Sequence, residues 1–135
     1  MQTELAVLAW GCVVALVHVF VAVRVKTRQY GTKWNTGARD EELPPPEPIV
    51  GRLAGAQANF FETFPIAAAA ILIVSTAGLT SRWTAAGALL WLAARITYLP
   101  LYAMGVPKLR TIIFLASVVG IAMILWPALA ASSGL

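Results

Sequence analysis

The chain has 135 residues, 59% of them hydrophobic and only 12% charged, with a mean hydropathy of +0.77. A soluble domain carries about 25% charge to wet its surface, so this composition excludes an ordinary soluble enzyme, a disordered chain and a nucleic-acid-binding module. The formal charge of +4 comes from basic residues gathered around one connector, the pattern of a membrane flank rather than of a phosphate-binding face.

Crossing a bilayer core takes about 20 mainly apolar residues, and four runs meet that length. The first, 4–24, is interrupted only by His18. Glu4 precedes it and Arg24, Lys26 and Arg28 follow, the reverse of a secretory signal, so it reads as a retained span. One cysteine, Cys12, gives no intrachain disulfide and no cysteine-based metal site; it reads as a small apolar helical residue, and His18 as a hydrogen-bonding group between helices. The connector 25–48 ends in Asp40-Glu41-Glu42-Leu43-Pro44-Pro45-Pro46-Glu47-Pro48. Its prolines cannot continue a helix and predict a stiff, extended bridge. The second span, 50–79, the third, 82–104, and the fourth, 107–131, follow with short turns, Pro107 suiting a first helical turn. The whole reads as one all-α integral membrane domain, a four-helix transmembrane bundle with no internal repeat.

Lys and Arg concentrate in and beside the first connector (Arg24, Lys26, Arg28, Lys33, Arg39, Arg52), with Arg82 alone in the second and Lys108 and Arg110 in the third. The positive-inside rule puts connectors one and three in the cytoplasm and both termini outside. Trp83 and Trp126 then fall near the outer interface, Tyr30 and Trp34 near the inner one.

Polar groups inside the spans are the informative ones, because an ionisable side chain in lipid must be paired or face a polar cavity. At 100° per residue, Arg52, Asn59 and Glu62 form one stripe on span two, while Gln57 points nearly the opposite way, toward a different neighbour. Arg95, Tyr98 and Tyr102 form a second stripe on span three. Helix rise sets Arg95 about 10 Å deeper than Tyr102, level with Glu62, so the two are expected to pair. Arg110 opens span four at the same face. The cluster reads either as a structural ion pair between helices or as a cation-rich pocket for an anionic ligand. Pro65 and Pro100 are expected to kink their helices and open space there.

The stretch from Gly51 to Pro65, with Arg52, Gln57, Asn59 and Glu62, resembles the signature of the MAPEG family, the membrane-associated proteins in eicosanoid and glutathione metabolism. Arg95-Ile96-Thr97-Tyr98-Leu99-Pro100-Leu101-Tyr102, followed by Gly105-Val106-Pro107 and Arg110, is similar to bacterial members. The resemblance covers the whole chain. It implies a homotrimer in the bacterial inner membrane, with glutathione as cosubstrate bound between subunits in the cytoplasmic half. It carries glutathione contacts onto Asn59, Glu62, Arg95, Tyr98 and Tyr102, with Gln57 lining the site. Arg110 is the nearest match to an arginine that stabilises the thiolate, with Tyr102 a further hydroxyl donor. Two positions depart: Gly51 stands where the family has Glu, and Gly55 where it has a second Arg, leaving Arg24, Lys26 or Arg52 to compensate. The implied activity is a glutathione-dependent transferase or peroxidase acting on lipophilic electrophiles from the membrane. A noncatalytic lipid-binding scaffold and a small proton-coupled exporter using Glu62 are the alternatives.

Overall fold

The computed structural model describes residues 1–134 and contains five helices in the order α1 (Thr3–Tyr30), α2 (Thr32–Thr36), α3 (Pro48–Thr76), α4 (Arg82–Ala103) and α5 (Pro107–Ser132). All but α2 are long and apolar enough to cross a membrane, and no strand occurs among the described residues. The chain is therefore an all-helical, four-span bundle.

Local chemistry sets the helix ends. At Gly31 the backbone turns to φ 95°, and its N–H bonds back to the Thr27 carbonyl at 2.7 Å, which stops α1. α4 opens on a capping box in which the Ser81 side chain accepts from the Thr84 N–H and the Thr84 hydroxyl accepts from the Ser81 N–H. α3 and α5 begin with Pro48 and Pro107, whose missing N–H costs nothing in a first turn. Pro65, Pro100 and Pro127 lie inside helices, each leaving one upstream carbonyl without its usual donor.

α1 continues past residue 24 to Tyr30, and the connector is not a single extended bridge: α2 forms inside it. Only the proline run is non-helical, and it is strapped to the end of α1. Gln29 Nε2 donates to the Pro45 carbonyl (3.0 Å), the Tyr30 hydroxyl to the Pro44 carbonyl (2.8 Å), and the Glu47 N–H to Gln29 Oε1 (2.8 Å).

The core is aromatic where three spans meet. Phe60 and Phe64 from α3 pack with Trp91 from α4, centroids 5.0–6.0 Å apart, and His18 from α1 stacks on Phe60 at 4.7 Å. His18 finds no hydrogen-bond partner at either ring nitrogen, and its stack on Phe60 takes the place of the expected interhelical bond. Gly11 lets Phe64 and Trp91 reach the backbone of α1. At the other end of α1, Glu4 is 3% exposed and accepts a 2.7 Å hydrogen bond from the Thr84 hydroxyl. Cys12 lies on the exposed side of α1. Trp10, Phe20, Trp83, Leu89, Ile112 and Trp126 are likewise exposed, an apolar exterior suited to lipid. Trp34 is packed into the protein.

α4 and α5 make the closest helix pair. Gly87 and Gly120 meet backbone to backbone: a Cβ on Gly120 would stand 2.6 Å from the Gly87 carbonyl oxygen, and one on Gly87 would stand 2.8 Å from that of Gly120. Such small-residue contacts hold helices together where apolar burial gives no drive. Gly120→Ala should force the helices apart at about 1–3 kcal/mol, lowering the thermal midpoint of the detergent-purified protein by several degrees. An unchanged midpoint would mean the crossing is looser than described.

Candidate functional site

The end of α1, the starts of α3 and α5, and the end of α4 gather at one end of the bundle, and the unusual polar residues gather with them. Arg52, one turn into α3, donates from Nε to the Ala103 carbonyl at 2.8 Å. That carbonyl is free because the residue four positions on is Pro107, which has no N–H. Arg52, Tyr102, Gly105, Pro107 and Arg110 line a cleft of about 190 Å³ with no acidic side chain on its walls. Gly105, at φ 73°, makes the tight turn that swings α5 back beside Arg52.

Below this cleft, cations and rings alternate down the bundle. The Arg110 guanidinium lies 4.5 Å from the Tyr102 ring centroid, Tyr102 meets Tyr98 edge-on at 5.5 Å, and the Arg95 guanidinium lies 4.4 Å from Tyr98 and 5.2 Å from Phe60. Aromatic faces hold a desolvated cation by their quadrupole, at about 2 kcal/mol or more per contact. Arg95 is 0% exposed, and Nη1 donates to Asn59 Oδ1 at 2.9 Å. Its Nε and Nη2 are buried without a partner.

Glu62 does not complete the expected pair. It sits on the exposed face of α3, three residues beyond Asn59, and Asn59 is the α3 side chain that Arg95 reaches. Depth matched, but rotation about the helix axis did not: the stripe is wide enough that one edge faces α4 while the other faces outward.

Gly55 has a steric reason. A Cβ there would collide with the Tyr102 hydroxyl and stand 3.0 Å from its Cζ. Tyr102 thus occupies the space that a side chain at 55 would need, and the second arginine of the family pattern cannot coexist with this tyrosine placement.

Gln57 faces α1 and α2 of its own chain. It lines a smaller cleft, about 130 Å³, with Lys26, Trp34, Arg39, Val50 and Ala54. Arg24 lies away from it, in an open groove with Phe20, Thr27, Arg28 and Asn35; two residues on a helix turn a side chain by about 200°, so Arg24 and Lys26 serve different surfaces. The structure thus brings Arg52, Tyr102 and Arg110 together, links them through Tyr98 to Arg95 and Asn59, and leaves Gln57 with Lys26, Glu62 and Arg24 apart. Trp34 and Arg39, which the sequence marks only as an interface aromatic and a connector cation, join the Gln57 cleft as well. A lone tryptophan in a glycine-bounded, otherwise polar connector was the available signal.

No group of three or more potential metal ligands occurs among the described residues. In comparison with known proteins, the MAPEG family model aligns with residues 7–130. No curated protein and no solved structure matches the chain significantly. Four apolar spans, the paired polar stripes on α3 and α4, and a family match over nearly the whole length lead to one assignment: the chain belongs to the MAPEG family, membrane proteins of glutathione and eicosanoid metabolism.

Proposed function

We propose that this protein is a glutathione-dependent transferase or peroxidase for lipophilic electrophiles, working as a homotrimer in the bacterial inner membrane with its polar end toward the cytoplasm and both termini outside. The observation that carries the reading is the run of cations from Arg110 to Arg95, which no carboxylate among the described residues touches along its cleft or at Arg95. A buried guanidinium with two idle donors favours an anion, and glutathione is a flexible anion of matching polarity.

In this reading Arg52, Asn59, Arg95 and Tyr98 hold polar parts of the tripeptide from one subunit. Arg110 faces the sulfur and Tyr102 donates its hydroxyl to it. Gln57 and Lys26 approach from the neighbouring subunit, while Arg24 stays in its separate groove. Glu62 supports the oligomer: a carboxylate facing lipid costs about 2.5–3.5 kcal/mol, so the α3 face that exposes it is better covered by protein. MAPEG proteins are generally oligomeric.

The chemistry needs little else. A free thiol with pKa about 8.5 is mostly protonated at neutral pH, and a guanidinium close to sulfur favours the thiolate. In conjugation the thiol proton passes to water, an S–C bond forms on an electrophile arriving through the lipid, and its leaving group departs. The exporter reading would need Glu62 on an internal passage, whereas Glu62 lies on the exterior of α3. The scaffold reading draws on Gly55, which removes one cation from the family pattern; saturable lipid binding with no thiol conjugation across a broad electrophile panel would select it.

Two experiments test the roles. Arg110→Ala should lower kcat at least about tenfold, one pKa unit of thiolate stabilisation, while glutathione binding stays close to that of the parent. Full activity in the purified variant would remove Arg110 from the mechanism. Asn59→Leu takes away the one acceptor on Arg95 and should cost about 1.5–3 kcal/mol, read as a lower thermal midpoint. Adding Arg95→Met should restore the midpoint by removing the stranded charge but not restore thiol transfer. If the double variant conjugates normally, Arg95 is structural only.

A further inference from the structure

α1 is longer than a bilayer core requires. Its 28 residues rise about 42 Å, against about 30 Å of hydrocarbon. With the mainly apolar run 5–23 filling the core, the last turns of α1 stand at the height of the lipid headgroups. Arg24 sits at that boundary and Arg28 one turn above it, both exposed and only about 40° apart around the helix. Like charges at this spacing repel each other. The dipole at the helix end eases Arg28, in the last turn, more than Arg24.

The two arginines do not stand on a bare rod. Thr32 and Asn35 of α2 lie beside them, and together with Thr27 they line an open groove of about 580 Å³ that reaches Phe20, itself 66% exposed. The groove thus joins headgroup height to the depth of the acyl chains, and its volume is that of a small-molecule site. Its polar walls offer donors and few acceptors. No acidic side chain lines it. Asn35 Oδ1, its one amide oxygen, already accepts from Arg39 Nη2 at 3.2 Å. Asn35 Nδ2 donates to Thr27 Oγ1 at 2.8 Å, so the Thr27 oxygen is engaged as an acceptor and its own proton remains to donate.

We propose that this groove binds one anionic phospholipid, its phosphodiester held between the Arg24 and Arg28 guanidiniums with the Thr27 hydroxyl donating to it, and an acyl chain lying along Val23 and Phe20. Guanidinium forks match phosphate oxygens two at a time, and a bound phosphate relieves the repulsion between the two arginines. The same walls select among lipids. A zwitterionic headgroup would bring an ammonium beside two guanidiniums with no carboxylate to receive it, whereas a headgroup whose only charge is the phosphate meets donors alone. The site is independent of the glutathione reading, since neither arginine lines the Arg110 cleft. Because Thr32 and Asn35 belong to α2, a lipid seated there also braces α2 against α1.

Native mass spectrometry of the full-length protein, delipidated in detergent and titrated with phosphatidylglycerol or phosphatidylethanolamine of identical chains, tests this. Phosphatidylglycerol should fill one site per subunit at least about tenfold more tightly, as two cations at a membrane surface favour an anionic headgroup. Arg24→Gln combined with Arg28→Gln should bring the two lipids within about twofold of each other; both side chains are exposed, so the fold does not depend on them. Lys33→Gln combined with Lys108→Gln makes the same charge change on exposed residues outside the groove and should keep the preference. Glycerophosphoglycerol, the headgroup without its chains, should not displace the lipid at equal concentration. Equal affinity for the two lipids in the parent protein, or a preference that survives loss of the arginine pair, would overturn the site. So would an equal loss in the lysine pair, the mark of diffuse surface charge, or displacement by the free headgroup.

Discussion

A guanidinium buried completely inside a membrane bundle, with a neutral amide for its one hydrogen-bond partner, constrains everything around it. Taking such a charge out of water costs several kcal/mol, and a carboxylate partner is the usual remedy. Arg95 has none among the described residues; Asn59 and the faces of Phe60 and Tyr98 hold it instead. Dipoles and quadrupoles make the charge tolerable without cancelling it. The positive field is left standing, and Arg52 and Arg110 extend it toward the end of the bundle.

The rest of the architecture keeps that field accessible at one end and sealed at the other. At the far end, Glu4 is buried and fixed by the Thr84 hydroxyl inside the capping box of α4. Below the polar end, Phe60, Phe64, Trp91 and His18 fill the centre with rings. The glycine crossing brings α4 and α5 into backbone contact at Gly87 and Gly120. At the open end, proline and glycine do the shaping. Pro107 frees the carbonyl that Arg52 takes, Gly105 turns α5 back toward it, and Gly55 leaves Tyr102 room to stand between the two arginines.

The four spans were legible because bilayer thickness sets their length and composition marks them independently of any packing detail. The α3 and α4 stripes were legible too, as helical periodicity fixes which side chains share a face. What a face meets is another matter. A helical wheel gives angle within a helix but not the rotation of one helix against the next, and that rotation gave Asn59 rather than Glu62 to Arg95. Depth alone could not separate two residues less than one turn apart. The helix α2 is hard to read for a related reason: a five-residue helix has too few residues to show a period, and its one buried side chain, Trp34, packs on Tyr30 of α1. Gln57 was oriented correctly as facing away from the stripe, but its neighbour proved to be α1 of the same chain.

The account stands on uncancelled positive charge that draws an anion into the bundle. Calorimetric titration of the purified protein, its oligomeric mass determined alongside, measures that directly. Glutathione should give saturable heat on a trimer, while its uncharged diamide should give none. Equal heats for the two, or no saturable heat with glutathione, would contradict it.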